Sequence, residues 1–248
     1  MSDYRLVEAE VAGYELPELT RLGLQHRFLL KPLNFRPVAF DQSVTQVATH
    51  FLPQNMPLVT GQQVHSANVA EVAVQDLASV TIIPDTDGTL TQQVGVALLA
   101  KYADCIPILL YDPVKKVHAS VHSGWRGTLQ GIGQKALQQM MDLYGCQPQN
   151  IRVGYGPAIG FEDFEVTAEV YQQFWAYASD IPQAFRQKDA THWLIDTKQI
   201  NKVRFEQMGI SAQHQYDVAV STVQDPKCHS YRRDQADFGL MAVVSYME

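Results

Sequence analysis

The sequence lacks long apolar runs, has few cysteines and carries no excess of positive charge, and each absence excludes a class of protein. No uncharged apolar segment approaches the roughly 20 residues that a membrane-spanning helix needs. The net charge of −7 argues against a general nucleic-acid binder, because such proteins use positive charge to displace counterions. The three cysteines, Cys105, Cys146 and Cys228, do not form a disulfide framework. We therefore expect a soluble, cytoplasmic protein with neither a membrane nor a nucleic-acid partner.

The sequence also lacks internal repeats and Pro/Gly/Ser-rich linkers, which predicts a single domain over residues 1–248. Residues 1–56 look less regular than residues 57–245, which carry the motifs described below. Strand-like runs outnumber helical ones and do not alternate strictly with them. This arrangement favours an α+β fold in which helices flank a mixed β-sheet core.

Apolar periodicity and capping residues predict the individual elements. Strands are expected at 69–74, 94–99, 106–111, 116–122, 151–155, 193–195 and 218–223. Helices are expected at 43–52 with Ser43 as the cap, at 128–144 between Thr128 and Gly145, at 167–178, and from the Asp196/Gln199 capping box to about 209.

Histidines and cysteines are the candidate metal ligands, and periodicity reduces the possible sets. His118 and His122 lie on one face of the predicted strand 116–122, about 13 Å apart at ~3.3 Å per residue. They could share an ion only if this segment were a helix, so at most one is a ligand. His122 lies at the strand end, where sites tend to be built, whereas His118 is the better candidate for a packed core histidine.

Cys105 and His65 are weaker signals when taken alone. Cys105 follows Asp104 at the start of an apolar strand, where a cysteine is either a small core residue or a ligand. No C-x-x-C or H-E-x-x-H pattern is present. Spacing alone therefore does not bring His65, Cys105 and His122 together.

Two basic segments are candidate anion sites. Arg126 lies in a Gly-Trp-Arg-Gly turn that opens a predicted helix. Tyr231, Arg232 and Arg233 form the second segment, in which neighbouring arginines are suited to gripping phosphate. The alternative interpretation is a solvated loop that makes surface salt bridges.

Five segments, taken in order, resemble the motifs of the YfiH-like family. They are Gln63–His65, Ala103–Pro107, His122–Gly127, Gly156–Gly160 and Ser230–Asp234. Members of that family carry the names purine nucleoside phosphorylase, polyphenol oxidoreductase laccase and peptidoglycan editing factor. The resemblance covers residues 57–245 and implies a β-sheet core flanked by helices, similar to that of toxin deamidases.

The resemblance implies a zinc site made of His65, Cys105 and His122, for which copper is a second possible ion. It also implies phosphorolysis of adenosine, inosine and methylthioadenosine, together with deamination of adenosine. The partners would be a purine nucleoside and phosphate. We expect the phosphate to be held by Arg233 with Arg232 or Arg126, beside Tyr231. Asp104 would orient a zinc ligand or act as an acid–base.

Three other functions remain open from the sequence. A cysteine hydrolase acting on an amide or peptidoglycan-precursor substrate would use Cys105 as its nucleophile and His122 as its base. A copper-dependent polyphenol oxidoreductase is the second. Multicopper oxidases bind copper through His-x-His pairs, and none of the eight histidines here forms such a pair. A non-catalytic protein would bind a nucleoside or a metal without turnover. The oligomeric state is not predicted.

Overall fold

The computed structural model describes residues 3–73 and 77–248. Within these residues the strands are β1 Arg5–Val7, β2 Gly13–Glu15, β3 Leu24–Leu29, β4 Leu58–Gly61, β5 Val69–Glu71, β6 Val80–Ile83, β7 Gly88–Thr91, β8 Ala97–Tyr102, β9 Ile106–Asp112, β10 Val117–Ser123, β11 Arg152–Tyr155, β12 Glu165–Thr167, β13 Phe185–Gln187, β14 His192–Ile195, β15 Gln215–Asp217 and β16 Met241–Met247. The helices are α1 Pro17–Arg21, α2 Phe40–His50, α3 Trp125–Leu129, α4 Ile132–Tyr144, α5 Ala168–Ala178, α6 Thr197–Gln207 and α7 Tyr231–Asp234.

Two large mixed sheets form the centre of the fold. The first has the order β1-β2-β3-β16-β8-β4-β6, and the second has the order β15-β11-β9-β10-β7-β5. Strand β10 packs against β8 and β16, so the sheets lie face to face. A small third sheet, β12-β14-β13, packs beneath α5. The α+β prediction is confirmed, and residues 1–56, expected to be less regular, contribute three strands to the first sheet.

Apolar alternation explains how the second sheet is held. In β10, Val117, Ala119 and Val121 point into one buried cluster, which they share with Ile132, Ala136 and Met140 of α4. This cluster fixes α4 against the outer face of the sheet, because burying apolar surface is the main favourable term in folding. His118 and His122 point the other way and are buried. The strand prediction for this segment is confirmed.

Three local predictions are wrong. The helix expected at 43–52 begins at Phe40, and the Ser43 hydroxyl lies inside it and donates to the carbonyl oxygen of Asn34. The helix expected from Thr128 to Tyr144 is two helices, because Gly131 adopts a left-handed φ of 69° between them. The strand expected at 218–223 is absent, and the nearby strand β15 ends at Asp217.

Other elements agree with the sequence pattern. Gly145 closes α4 with a φ of 65°, and the Asp196 side chain accepts the backbone N–H of Gln199 at the start of α6. The strand expected at 94–99 lies three residues later, as β8. Of the strand expected at 69–74, residues 69–71 form β5, and Val74 lies outside the described residues. Within the described part of the chain, no helix is long and apolar enough to cross a membrane.

Candidate metal centre and cavity

The pairing of β9 with β10 brings two of the three predicted ligands together. His122 lies opposite Pro107 in this antiparallel pair, so it comes close to Cys105, two residues before Pro107. The loop that follows β4 supplies His65. The donor atoms of His65, Cys105 and His122 lie within 4.8 Å of one another. Residues that are distant in the sequence therefore form one cluster.

The donor set and its spacing fit a zinc ion. One thiolate and two imidazoles are common zinc ligands, and three protein ligands leave a fourth position open, as in catalytic zinc sites. Copper accepts the same donors, so the residue types alone do not choose between the two ions. Among the described residues, His118 is not part of any such group, and it lies near the start of β10, at the other end from His122.

Asp87 orients His122 within the cluster. The Nδ1 atom of His122 donates to Asp87 Oδ1 at 2.9 Å, which leaves Nε2 available for a metal ion. Both side chains are buried. A carboxylate bound to the second ring nitrogen is a common support for a metal-ligating histidine, because it fixes both the tautomer and the ring orientation.

The same carboxylate shapes the loop that carries His65. It accepts the backbone N–H groups of Val64, His65 and Ser66 at 2.8–3.1 Å, and it also accepts the Ser66 hydroxyl at 2.8 Å. His65 has a φ of 60°, which is uncommon for a residue other than glycine. These hydrogen bonds hold the strained conformation and connect His65 to His122 through one side chain.

Gly124 gives the ligands room to meet. A Cβ atom at this position would lie 2.8 Å from Cδ2 of His65 and 3.1 Å from Sγ of Cys105. Both distances are shorter than ordinary van der Waals contacts. Any side chain here would therefore push the two ligands apart.

The cluster is electrostatically coupled. Burial by itself would raise the pKa of Cys105, but the charge of His122 and hydrogen bonds from His122 and His65 lower that pKa to about 6. Burial would lower the pKa of His122, but Cys105 and Asp87 raise it to about 9. Burial opposes ionisation of Asp87 as well, yet hydrogen bonds from His122 and the 64–66 loop keep its pKa well below the usual range. The arrangement favours a thiolate, which is the form that binds metal.

The cluster opens into a cavity of about 910 Å³. Phe35, Phe40 and Leu240 form one apolar, largely aromatic part of its lining, and they belong to a single core cluster. Trp125 and Phe164 also line the cavity, and they pack on a different core cluster, the one around α5. Ligand pockets of small-molecule enzymes have this size and this mixture of apolar walls with a few polar groups.

Three of the four predicted substrate-binding residues line this cavity: Arg126, Tyr231 and Arg232. The Arg126 guanidinium lies 4.1 Å from the centroid of the Trp125 ring, and no carboxylate in residues 3–73 or 77–248 pairs with it. Arg232 also reaches the cavity, but its guanidinium donates to the carbonyl oxygens of Asp163 and Glu165. Arg126 is thus the more available of the two cations.

Arg233 lies elsewhere. It does not line the cavity, and its guanidinium donates to the carboxylate of Asp234 and to the carbonyl oxygens of Thr222, Val223, Asp225 and Cys228. These contacts hold the 222–228 segment in turns. The phosphate contact expected of Arg233 stays a prediction, and in this structure its guanidinium is held by acceptors of the protein.

Asp104 lines the cavity but is held by the protein. Its carboxylate accepts the Thr222 hydroxyl at 2.6 Å and the backbone N–H of Arg232 at 2.6 Å. Its backbone has a φ of 79°, and its carbonyl oxygen accepts the N–H of Ile159. Asp104 therefore connects the Cys105 turn to Thr222, to α7 and to Ile159, and the last two border the cavity.

Sequence reasoning missed Asp87 and Gly124 as parts of the site. Asp87 lies in none of the five motifs, and Gly124 enters only as a member of the motif His122–Gly127 and of the Gly-Trp-Arg-Gly turn. One feature of the sequence could have pointed to Asp87: it is a charged residue directly before the strand β7, in a turn whose conformation does not depend on a charge. Nothing local predicts that its partners lie 21 to 35 residues away.

Comparison with known proteins identifies the family of this chain. Residues 36–248 match the family described as multi-copper polyphenol oxidoreductase laccase. The chain belongs to this family. It is 32% identical over 211 residues to a purine nucleoside phosphorylase of Deinococcus radiodurans, covering 84% of this chain and 77% of that protein. It is 29% identical over 189 residues to purine nucleoside phosphorylase YlmD of Bacillus subtilis, covering 74% and 68%.

The match to the human purine nucleoside phosphorylase LACC1 is 35% identical over 162 residues, but spans only 37% of that protein and 63% of this chain. Among solved structures, YfiH of Bacillus licheniformis superposes with a TM-score of 0.92 at 22% identity, with full coverage of both chains. YlmD of Geobacillus stearothermophilus gives a TM-score of 0.86 at 22% identity, again with full coverage. These two structures support the fold.

Proposed function

We propose that the protein is a zinc-dependent purine nucleoside phosphorylase. It would convert adenosine, inosine or methylthioadenosine and phosphate into the free base and a ribose 1-phosphate, with deamination of adenosine as a second activity. The observation that carries this proposal is a His-Cys-His cluster that opens into an aromatic cavity beside the available cation Arg126. The names of the relatives from Deinococcus and Bacillus support the same substrate class.

Each part of the site has a task in this reaction. A zinc ion bound by the three ligands would supply Lewis-acid chemistry at an open coordination position. Asp87 holds the ring of His122 and the loop of His65, so the ligands are oriented before the substrate arrives. The aromatic walls bind the purine, because planar rings stack favourably on one another.

Phosphate must be held beside C1′ while the glycosidic bond breaks, and we assign this task to Arg126. Its guanidinium is exposed to the cavity and has a planar set of donors that suits phosphate oxygens. Tyr231 and Arg232 complete the polar border. We assign Asp104 to positioning rather than to proton transfer, because both of its carboxylate oxygens already accept hydrogen bonds.

The test is a product assay on purified, zinc-loaded protein given adenosine with and without phosphate. Adenine that forms only with phosphate is the expected result, and inosine formed in either condition would add the deaminase. Cys105→Ser provides the matched control, because it removes one metal ligand with a small change in volume. Formation of neither adenine nor inosine under both conditions would contradict the proposal.

A second candidate is favoured by one geometric feature. Cys105, His122 and Asp87 form a nucleophile–base–carboxylate series, as cysteine hydrolases require. Such an enzyme would act on an amide or a peptidoglycan precursor, would not need phosphate, and would keep its activity after treatment with a chelator. Chelator-resistant hydrolysis would therefore distinguish it from the phosphorylase.

A further inference from the structure

Lys101 lines the cavity from β8, in addition to Arg126 and Arg232. Unlike those two arginines, it has no role in the site described so far. Its Nζ atom lies 5.6 Å from the centroid of the Phe40 ring. Phe40 in turn packs edge-on against Phe35, with ring centroids 6.4 Å apart. The ammonium group therefore sits against an aromatic wall.

No carboxylate among the described residues neutralises this group. In residues 3–73 and 77–248, no carboxylate lies within 4.0 Å of Lys101, although acidic residues outnumber lysines and arginines 26 to 19 in the chain. Lys198 and Lys202, which are also at least partly buried, both pair with Asp217. Half-burial lowers the pKa of Lys101, the direction expected for a cation without a partner.

The backbone of Lys101 is held by the loop that carries His65. The side-chain amide of Gln63 donates to the carbonyl oxygen of Lys101 at 2.7 Å, and its oxygen accepts the Lys101 N–H at 2.8 Å. Gln63 lies two residues before His65. This paired contact fixes the strand position from which Lys101 enters the cavity and connects it to the ligand cluster.

We propose that Lys101 forms a second anion-binding subsite, beside the Phe40 ring on the cavity wall, and that it binds a phosphate group. The proposal rests on the proposed function, which brings phosphate into the cavity. The group has two possible sources: the inorganic phosphate used in the reaction, or a phosphate carried by the nucleoside itself. A cavity of about 910 Å³ that is lined by Lys101 as well as by Arg126 has room for either arrangement.

The chemistry favours an anion at this position. A lysine ammonium is a compact charge with three donors, and it binds phosphate as a point charge. The aromatic wall excludes water, which strengthens the attraction between the cation and an incoming anion. Losing one charge-assisted contact of this kind weakens binding about tenfold or more.

The test measures equilibrium binding to zinc-loaded protein at constant ionic strength, with inorganic phosphate, adenosine and adenosine 5′-monophosphate as separate probes. The variants are Lys101→Gln, which removes the charge, and Lys101→Arg, which keeps it. Lys135→Gln is the matched control, because Lys135 is exposed on α4, a helix that packs on the outer face of the second sheet. Thermal unfolding of each variant checks that the fold is intact.

Two results would support the subsite and identify the source of the phosphate. If the anion is inorganic phosphate, Lys101→Gln weakens phosphate binding about tenfold or more, while Lys101→Arg and Lys135→Gln stay near the wild type. If the phosphate belongs to the nucleoside, Lys101→Gln instead removes a preference for the monophosphate over adenosine.

Unchanged binding of both phosphate probes in Lys101→Gln would overturn the subsite. The proposed function fails separately, because it depends on turnover and the subsite on binding. A protein that binds phosphate through Lys101 but releases no base would refute the phosphorylase and leave the subsite standing.

Discussion

Replacing Asp87 with Asn tests the central claim about the metal centre, namely that one carboxylate orients two ligands. Oδ1 accepts from His122 and from the N–H of His65, while Oδ2 accepts from Val64 and twice from Ser66. An asparagine amide has only one oxygen. In either orientation of the amide, its NH₂ group faces N–H or O–H donors whose hydrogen bonds the carboxylate accepted.

The magnitude follows from the contacts that are lost. If the amide oxygen stays on the His122 side, the N–H groups of Val64 and Ser66 lose their acceptor, at about 1–3 kcal/mol for each buried group. The loop is partly exposed, so we expect Asp87→Asn to lower the free energy of unfolding by about 2–4 kcal/mol. Loss of the support behind His122 should weaken metal affinity about 10- to 100-fold.

Two assays measure these effects: competition for zinc against a chromophoric chelator, and chemical denaturation of the metal-free protein. Asp85→Asn is the control, because Asp85 is exposed two residues earlier in the same turn, and its carboxylate makes no hydrogen bond or ion pair with any described residue. It removes the same charge without touching the cluster. Zinc affinity that is equal in Asp87→Asn and Asp85→Asn would refute the reasoning.

The remaining predictions concern packing, cations and pH. Gly124→Ala should weaken zinc binding at least tenfold in the chelator assay, because its Cβ would press on His65 and Cys105, and unchanged affinity would contradict this. Arg126→Gln should raise the KM for phosphate without changing the melting temperature. Arg233→Gln should lower the free energy of unfolding by about 2 kcal/mol or more, because carbonyl oxygens of the 222–228 segment lose their donor. Burial lowers the pKa of His26 to about 4, so the unfolded chain binds more protons below pH 6.5. Stability should therefore fall as the pH drops from about 6.5 towards 4, and His26→Gln should show a shallower fall in denaturation curves.

Local chemistry predicts the elements whose cause is local. The alternation of small apolar residues with His118 and His122 identifies β10, because successive strand side chains face opposite ways. Asp196 is recognised as a helix cap from the residues that follow it. The break between α3 and α4 is harder to predict from the sequence. A single glycine such as Gly131 is tolerated within many helices, so its presence does not indicate a left-handed backbone.

The absent strand at 218–223 has a cause that is not local. Val218, Val220 and Val223 favour a strand by propensity, but the Arg233 guanidinium takes the carbonyl oxygens of Thr222 and Val223. A strand needs those oxygens for a neighbouring strand. At Thr222 and Val223, tertiary contact therefore overrides propensity, and the arginine responsible lies ten residues beyond Val223. The residues before them pair with the chain at Ala158 through a single parallel bridge at Ser221.

The same reasoning explains why sequence could nominate the basic residues but not rank them. Arg232 and Arg233 are consecutive residues of a four-residue helix, so their side chains leave it about 100° apart, and only Arg232 reaches the cavity. What makes a cation available to a ligand is the lack of a partner on the protein. In this acidic chain that lack is a property of the fold, and it separates Arg126 and Lys101 from cations that already have acceptors. The number of arginines in a motif therefore does not tell which of them lacks a partner on the protein.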